Sequence, residues 1–391
     1  MPSWEAPSRT HERACAPPPN FDMNRIVYNV RTLSAPLTGV QRYVRELDAR
    51  LGGDFERVAP SIGAQGASGH LWEQLVLPVR LGGRMLFSPG NTGPVGYRRQ
   101  VVTIHDASTL DLPDAFAGAF GRWYRWMLPR LARRVLGVVT VSEFSRARIV
   151  ATLGVPRRRV AVVHNGVTPA PGPLAGDLLS AVRLRYGLHG RFLLFVGSRD
   201  ARKNAAFLVK AFAASGVRGL ELVLVGGGND RLFAPGEGAW KPGVRVLGHV
   251  EDRDLEALYA LAEGFVFPSL YEGFGLPPLE AMARGCPVLC SDATCLPEVC
   301  GPALERGGAP IYFSPRSEAS LAEALSRFAG LPAGVRQQMA SAGRARAGGY
   351  TWDRCASETL AAVTRFAAED RRLPGTDGVP HLLGQTGEES R

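Results

Sequence analysis

The 391-residue chain has no uninterrupted apolar run near the ~20 residues that a membrane-spanning helix needs, so it does not cross a bilayer as a helix. Lysine is scarce, with three in a Lys+Arg total of 46, and the formal net charge of +10 rests on arginine. Of six cysteines none stands in a CxxC pair. Four, Cys286, Cys290, Cys295 and Cys300, crowd one segment, but a strand-like Pro-Val-Leu separates the first two, and structural thiols are expected rather than metal ligands. No GxGxxG follows the first strand candidate, which excludes an NAD-type dinucleotide fingerprint. Asp252-Arg253-Asp254 reads as a helix start, so no metal-binding loop is expected there. Residues 1–22 lack the apolar core of a secretory signal, and the expected compartment is the cytoplasm.

What is present is an alternation. Strand-like runs at residues 25–30, 101–104, 138–141 and 160–163 are separated by helical patterns such as 40–51, and a second series follows at 192–196, 220–225, 244–247, 264–267 and 288–290. Strands alternating with helices predict parallel sheets and an α/β class. The run TPAPGP at 168–173 breaks the rhythm as a linker would. The expected division is a disordered extension at 1–22, one α/β domain at 23–173, a second at 174–349, a terminal helix at 350–372 capped by Thr351, and a disordered tail at 373–391. Ligands gather at the C-terminal ends of parallel strands. Thr38 and Gly39, His105 and Asp106, Arg202 and Lys203, and Glu272 all fall there.

The segment 267–301, FPSLYEGFGLPPLEAMARGCPVLCSDATCLPEVCG, sets Glu272 and Glu280 on either side of a Gly-Phe-Gly turn. On one continuous helix these glutamates would share a face and meet only water. Gly273, Gly275, Pro277 and Pro278 argue against such a helix. They predict a close backbone approach and a helix opening near Pro277, whose free N–H groups suit an anion. In VGSRDARKN, 196–204, Arg202 and Lys203 form either a solvated basic turn or a pair of cations aimed at an anionic ligand, and the adjacent strand end favours the second. Residues 98–160 hold twelve arginines against Asp106, Asp111, Asp114 and Glu143, a balance suited to anionic lipid or nucleic acid. Within it, FGRWYRWMLPRLARR at 120–134 interleaves aromatics and arginines as an interfacial helix does. The same stripe also suits core packing, with a kink at Pro129.

The pattern Glu272, GFGLPPL, Glu280 resembles the donor signature of the retaining glycosyltransferases of the GT4 type. Their fold is GT-B, two Rossmann-like parallel-sheet domains facing a cleft, with a C-terminal helix crossing back to the first domain. The resemblance covers residues 24–365. It implies that Glu272 contacts the transferred sugar, that Glu280 binds the ribose hydroxyls, and that the amides of Phe274, Gly275 and Leu276 meet the diphosphate or sugar. Lys203 matches the family's diphosphate-neutralising Arg/Lys pair. Ser198 stands at the donor site where many relatives carry arginine, so Arg202 or Arg199 substitutes. His105 matches the histidine beside the donor sugar, and Asp106 is a helper for the acceptor hydroxyl or a structural cap. Gly39, in LTGVQRY, belongs to the loop beneath the sugar and phosphate, and Gly226, Gly227 and Gly228 form a weak nucleotide-facing cluster.

The runs HLWEQLVLP at 70–78, SPGNTGP at 88–94 and TVSEFSR at 140–146 look like the branch containing bacterial mannosyl- and rhamnosyltransferases of surface polysaccharides. The expectation is a retaining, metal-independent and cofactor-free enzyme that moves mannose from GDP-mannose to a saccharide acceptor. That acceptor is expected on a polyprenyl carrier, with the protein at the inner, anionic face of the plasma membrane. The alternatives are a nucleotide-sugar 2-epimerase on the same fold, which needs no acceptor, and a nucleic-acid-binding protein, for which the chain carries no recognised signature.

Overall fold

The computed structural model describes residues 26–35, 38–53, 55–61, 66–116, 118–198, 200–226 and 243–371. The extension at 1–22, the tail at 373–391, and Arg199, Gly227 and Gly228 lie outside the described residues. A first sheet contains β1 (Ile26–Asn29), β2 (Glu56–Val58), β3 (Met85–Ser88), β4 (Gln100–Thr103), β5 (Gly137–Thr140) and β6 (Val160–Val162). A second contains β7 (Arg191–Val196), β8 (Leu220–Val225), β9 (Val244–Gly248), β10 (Gly264–Phe267), β11 (Val288–Ser291) and β12 (Ile311–Phe313). All described pairings are parallel, in the orders β2-β1-β3-β4-β5-β6 and β12-β11-β10-β7-β8-β9. Helices cover both faces, so β4 and β5 are buried along their whole length.

The winding of each sheet reverses once, between β1 and β3 in the first and between β7 and β10 in the second. At such a reversal the connections leave in opposite directions and open a crevice beyond the strand ends. Sequence patterning had no strand at β2, β3 or β12. β2 is an exposed Glu-Arg-Val edge, and β12 has only three residues, too few to show a period.

The last helix spans Trp352–Arg371. Thr351 caps it, its hydroxyl accepting the Arg354 N–H at 3.2 Å. Trp352, Cys355, Val363 and Phe366 are buried with Ile26, Tyr28 and Val139, so the helix crosses back onto the first sheet. Gly137 permits this contact, because a Cβ there would lie 2.2 Å from the Phe366 ring. Residues 168–173 carry neither helix nor strand, and Asp252 and Asp254 do open a helix, Asp252–Leu261. Cys286, Cys290, Cys295 and Cys300 are buried thiols in the apolar core of the second domain.

Candidate functional site

Beyond β7 the chain makes a single tight turn, Ala201–Lys203. Asp200 caps it by accepting the Arg202 N–H at 2.9 Å, and the same carboxylate pairs with the Arg202 guanidinium at 2.7 Å. Burial pushes the Asp200 carboxyl up, but the hydrogen bonds and charge of Arg202 outweigh it and hold it below its ordinary value. Asn204, in the left-handed region at φ 61°, donates to the carbonyls of Pro268 at 3.2 Å and Pro315 at 2.9 Å. That anchors the turn to the loop leaving β10. Lys203 Nζ then donates to Glu272 Oε1 at 2.6 Å, and Ser269 Oγ donates to the same oxygen at 2.6 Å. The Lys203–Glu272 pair thus sits in the crevice where the second sheet reverses. Ser198 is exposed at the end of β7.

The glycines of the Glu272 loop each meet a separate demand. Gly275 holds φ 90° at the start of helix Leu276–Ala283, with Pro277 and Pro278 in its first turn as their fixed φ favours. Gly273 passes against the first domain, where a Cβ would stand 2.7 Å from the His105 carbonyl oxygen. Its own carbonyl accepts Ser142 Oγ at 2.6 Å and Ser145 Oγ at 3.2 Å. Leu276 reaches Gly39, on which a Cβ would lie 3.8 Å from Leu276 Cδ1. Phe274 is buried with its ring 6.1 Å from that of His164 and 5.7 Å from that of Tyr350.

His105 and Asp106 therefore meet the Glu272 loop directly. His105 takes its N–H to Asn91 Oδ1 at 3.1 Å, and its Nε2 lies 3.2 Å from the Pro89 carbonyl. A carbonyl only accepts, so Nε2 carries the proton and Nδ1 is the acceptor. Burial lowers the imidazole pKa from 6.5 to about 4, with the Pro89 bond and the Asp106 charge opposing. Between those values the unfolded chain binds the proton and the folded chain does not. Stability therefore falls as pH drops from 6.5 to 4, by at most about 1.4 kcal/mol per unit. Urea midpoints across this range should show a shallower slope for His105→Asn than for the wild type, and an unchanged slope would refute the burial argument. Asp106 Oδ1 accepts the Ser108 N–H at 2.8 Å.

Glu280 is buried in helix Leu276–Ala283 and faces the first domain. Arg42, from helix Gly39–Leu51, forms an ion pair with its Oε1, and Tyr259 OH donates to Oε2 at 3.4 Å. Burial raises its pKa, opposed by the charges of Arg42 and Arg284. A cavity of about 200 Å³ opens beside it, lined by Arg42, Arg45, Tyr259, Glu280 and Arg284 among others. Glu272 and Glu280 thus occupy different environments, one against Lys203 and one against Arg42.

Two stretches match known family models: residues 190–330 match "Glycosyl transferases group 1", and residues 88–170 match "Glycosyltransferase Family 4". Over 283 residues the chain is 31% identical to the O-antigen chain mannosyltransferase B of Escherichia coli, covering 68% of this chain and 70% of that protein. The chain belongs to the family 4 glycosyltransferases. A second relative is the MMP alpha-(1->4)-mannosyltransferase of Mycolicibacterium hassiacum, 32% identical over 68% of this glycosyltransferase and 66% of that protein. Among solved structures, WaaG, a glycosyltransferase involved in lipopolysaccharide biosynthesis, superposes with a TM-score of 0.65 at 17% identity, covering 86% of this chain and 98% of that one. HepE of Anabaena in complex with UDP-glucose gives 0.65 at 17% identity, covering 89% and 99%. These likenesses show the GT-B fold.

Several residues that shape this glycosyltransferase's cleft escape sequence reasoning. Arg42 and Tyr259 meet Glu280 only through the approach of separate elements. Glu298 accepts the N–H groups of Glu143 at 2.8 Å and Phe144 at 3.1 Å, capping helix Glu143–Leu153 from the other domain, and pairs with His164 at 2.9 Å. Asn91 carried one local signal: its φ of 65° suits the Asn-Thr-Gly turn in which it stands.

Proposed function

We propose that this glycosyltransferase is a retaining hexosyltransferase that moves mannose from GDP-mannose to a lipid-linked saccharide acceptor in surface-polysaccharide synthesis. The observation that carries the reading is the Lys203–Glu272 pair, 2.6 Å apart in the crevice between β7 and β10, with the Gly275 helix start and His105 beside it. Lys203 and Arg202 neutralise the departing diphosphate, and the amides of Phe274, Gly275 and Leu276 add donors to it. Glu272 and His105 hold sugar hydroxyls, while Glu280 takes the ribose after Arg42 releases it. Gly39 and Ser198 line the same subsite. The bond from the anomeric carbon to phosphate oxygen breaks, the acceptor oxygen bonds to that carbon on the same face, and its proton passes to the departing phosphate. The positive charge comes from side chains and amides, with no metal required. Mannose is supported by the relatives' names, among them the O-antigen chain mannosyltransferase RfbU of Salmonella typhimurium.

A thermal-shift series tests the donor. GDP-mannose at 100 times its Kd should add about 2.7 kcal/mol of stability, and UDP-glucose at the same concentration much less. A reversed order would replace GDP-mannose by a UDP-sugar. Release of GDP that depends on added saccharide supports transfer. Consumption of the donor sugar without acceptor, yielding its 2-epimer, would establish the epimerase instead.

A further inference from the structure

Among the described residues, six of the seven large apolar side chains that stand exposed lie on two neighbouring helical segments of the first domain. The first runs from Gly66 to Leu81 through a π-helical turn, Trp72–Val76. It buries Glu73, Leu77 and Leu81 and leaves Leu71 at 61%, Leu75 at 61% and Val79 at 82% exposure, each four residues apart. The second, Gly118–Arg134, turns Tyr124, Met127, Leu128 and Leu131 inward and leaves Phe120 at 54% and Trp126 at 44% exposure. Rings join the two: His70 lies 5.5 Å from Trp123, and Trp123 stacks on Trp126 at 5.1 Å.

The charge on these segments has one sign. Their sole carboxylate is Glu73, which is fully buried, whereas Arg80, Arg122, Arg130, Arg133 and Arg134 are exposed. Arg130 lies over the Trp126 ring at 4.7 Å, with apolar and cationic groups in register. An aliphatic stripe beside tryptophan, rimmed by arginines, matches the boundary between acyl chains and anionic headgroups. A second copy of the chain would set arginines against arginines.

We propose that this two-helix face docks on an anionic lipid bilayer, with Leu71, Leu75, Val79, Phe120 and Trp126 entering the headgroup boundary and the arginines meeting lipid phosphates. The surface stands independently of the donor assignment, because vesicle binding needs no nucleotide sugar. Failure of one leaves the other in place.

Co-sedimentation of the full chain with phosphatidylcholine vesicles, with and without phosphatidylglycerol, tests it. Binding is expected only with phosphatidylglycerol and should weaken as salt is raised. The Leu75→Ser/Val79→Ser double variant should lose at least about tenfold in partitioning. Replacing Arg122 and Arg130 by serine should cost about fivefold each. Bromine-labelled acyl chains should quench part of the fluorescence, and Trp126→Phe should remove that part. Equal binding to both vesicle types, or variants that bind like the wild type, would overturn the proposal. So would a dimer seen by light scattering that Leu75→Ser/Val79→Ser dissociates, since the face would then be an interface between copies.

Discussion

Lys203→Ala is expected to lower kcat by about 10²- to 10³-fold, the range measured when one preorganised charge-stabilising donor is removed from an active site. Cleaving a bond to phosphate builds negative charge on the departing oxygen, and a cation held in place beforehand stabilises that charge without reorganising. Lys203 meets this condition: it ends a one-turn helix fixed by Asp200 and Asn204, lies 5.3 Å over the Phe267 ring, and is held 2.6 Å from Glu272. The substitution also leaves Glu272 with Ser269 as its remaining side-chain partner, so some stability is lost along with the rate. The two losses separate in one experiment. With a glycosyl fluoride donor, whose leaving group needs no diphosphate neutralisation, the rate should recover substantially if Lys203 acts on the leaving group. If Lys203 is only structural, both donors should suffer alike. Wild-type turnover by folded Lys203→Ala would remove Lys203 from the site.

Lys203 and Glu272 were each visible in the sequence as charged residues after strand ends, yet their contact was not. It spans 69 positions and exists because the second sheet places β10 beside β7. The pairing of Arg42 with Glu280 spans 238 positions and depends on the two domains meeting, which no local pattern encodes. Strands were legible where burial leaves a mostly apolar run between helical patterns, as in β8 and β10, although β3, equally buried, was passed over. The edge strand β2 carries no such run. The helix at 118–134 shows the limit of periodicity most plainly. Its pattern had been compatible with core packing and with an interfacial face, and the helix divides: Tyr124 and Leu128 face inward, as core packing requires, while Phe120 and Trp126 are exposed. Pro129 sits inside the helix.

The largest effect on stability is expected from Glu73→Ala, at about 3–5 kcal/mol, a substantial part of the 5–15 kcal/mol that holds a typical domain folded. Glu73 is fully buried at the other reversal point, between β1 and β3. It accepts Asn29 Nδ2 at 2.7 Å, Thr92 Oγ1 at 2.6 Å, and Arg31 Nε and Nη2 at 3.4 Å each. These donors come from the end of β1, the turn after it and the loop after β3, the same loop whose Asn91 holds His105. Burial raises the carboxyl's pKa, but His70, Arg31, Thr92 and Asn29 together outweigh it and leave the pKa below 4.5. A depressed carboxylate stabilises the fold above its unfolded value, and that contribution disappears as pH falls through the folded value. Removing the carboxylate takes the acceptor from the Asn29 and Thr92 donors and one opposite charge from the buried Arg31 guanidinium, which costs more than the pair itself contributes. The double variant Arg31→Met/Glu73→Leu removes both charges and should therefore be more stable than Glu73→Ala, which urea unfolding would show as a higher midpoint. A Glu73→Ala midpoint equal to that of the wild type would mean that the charge is not needed to bring these three segments together.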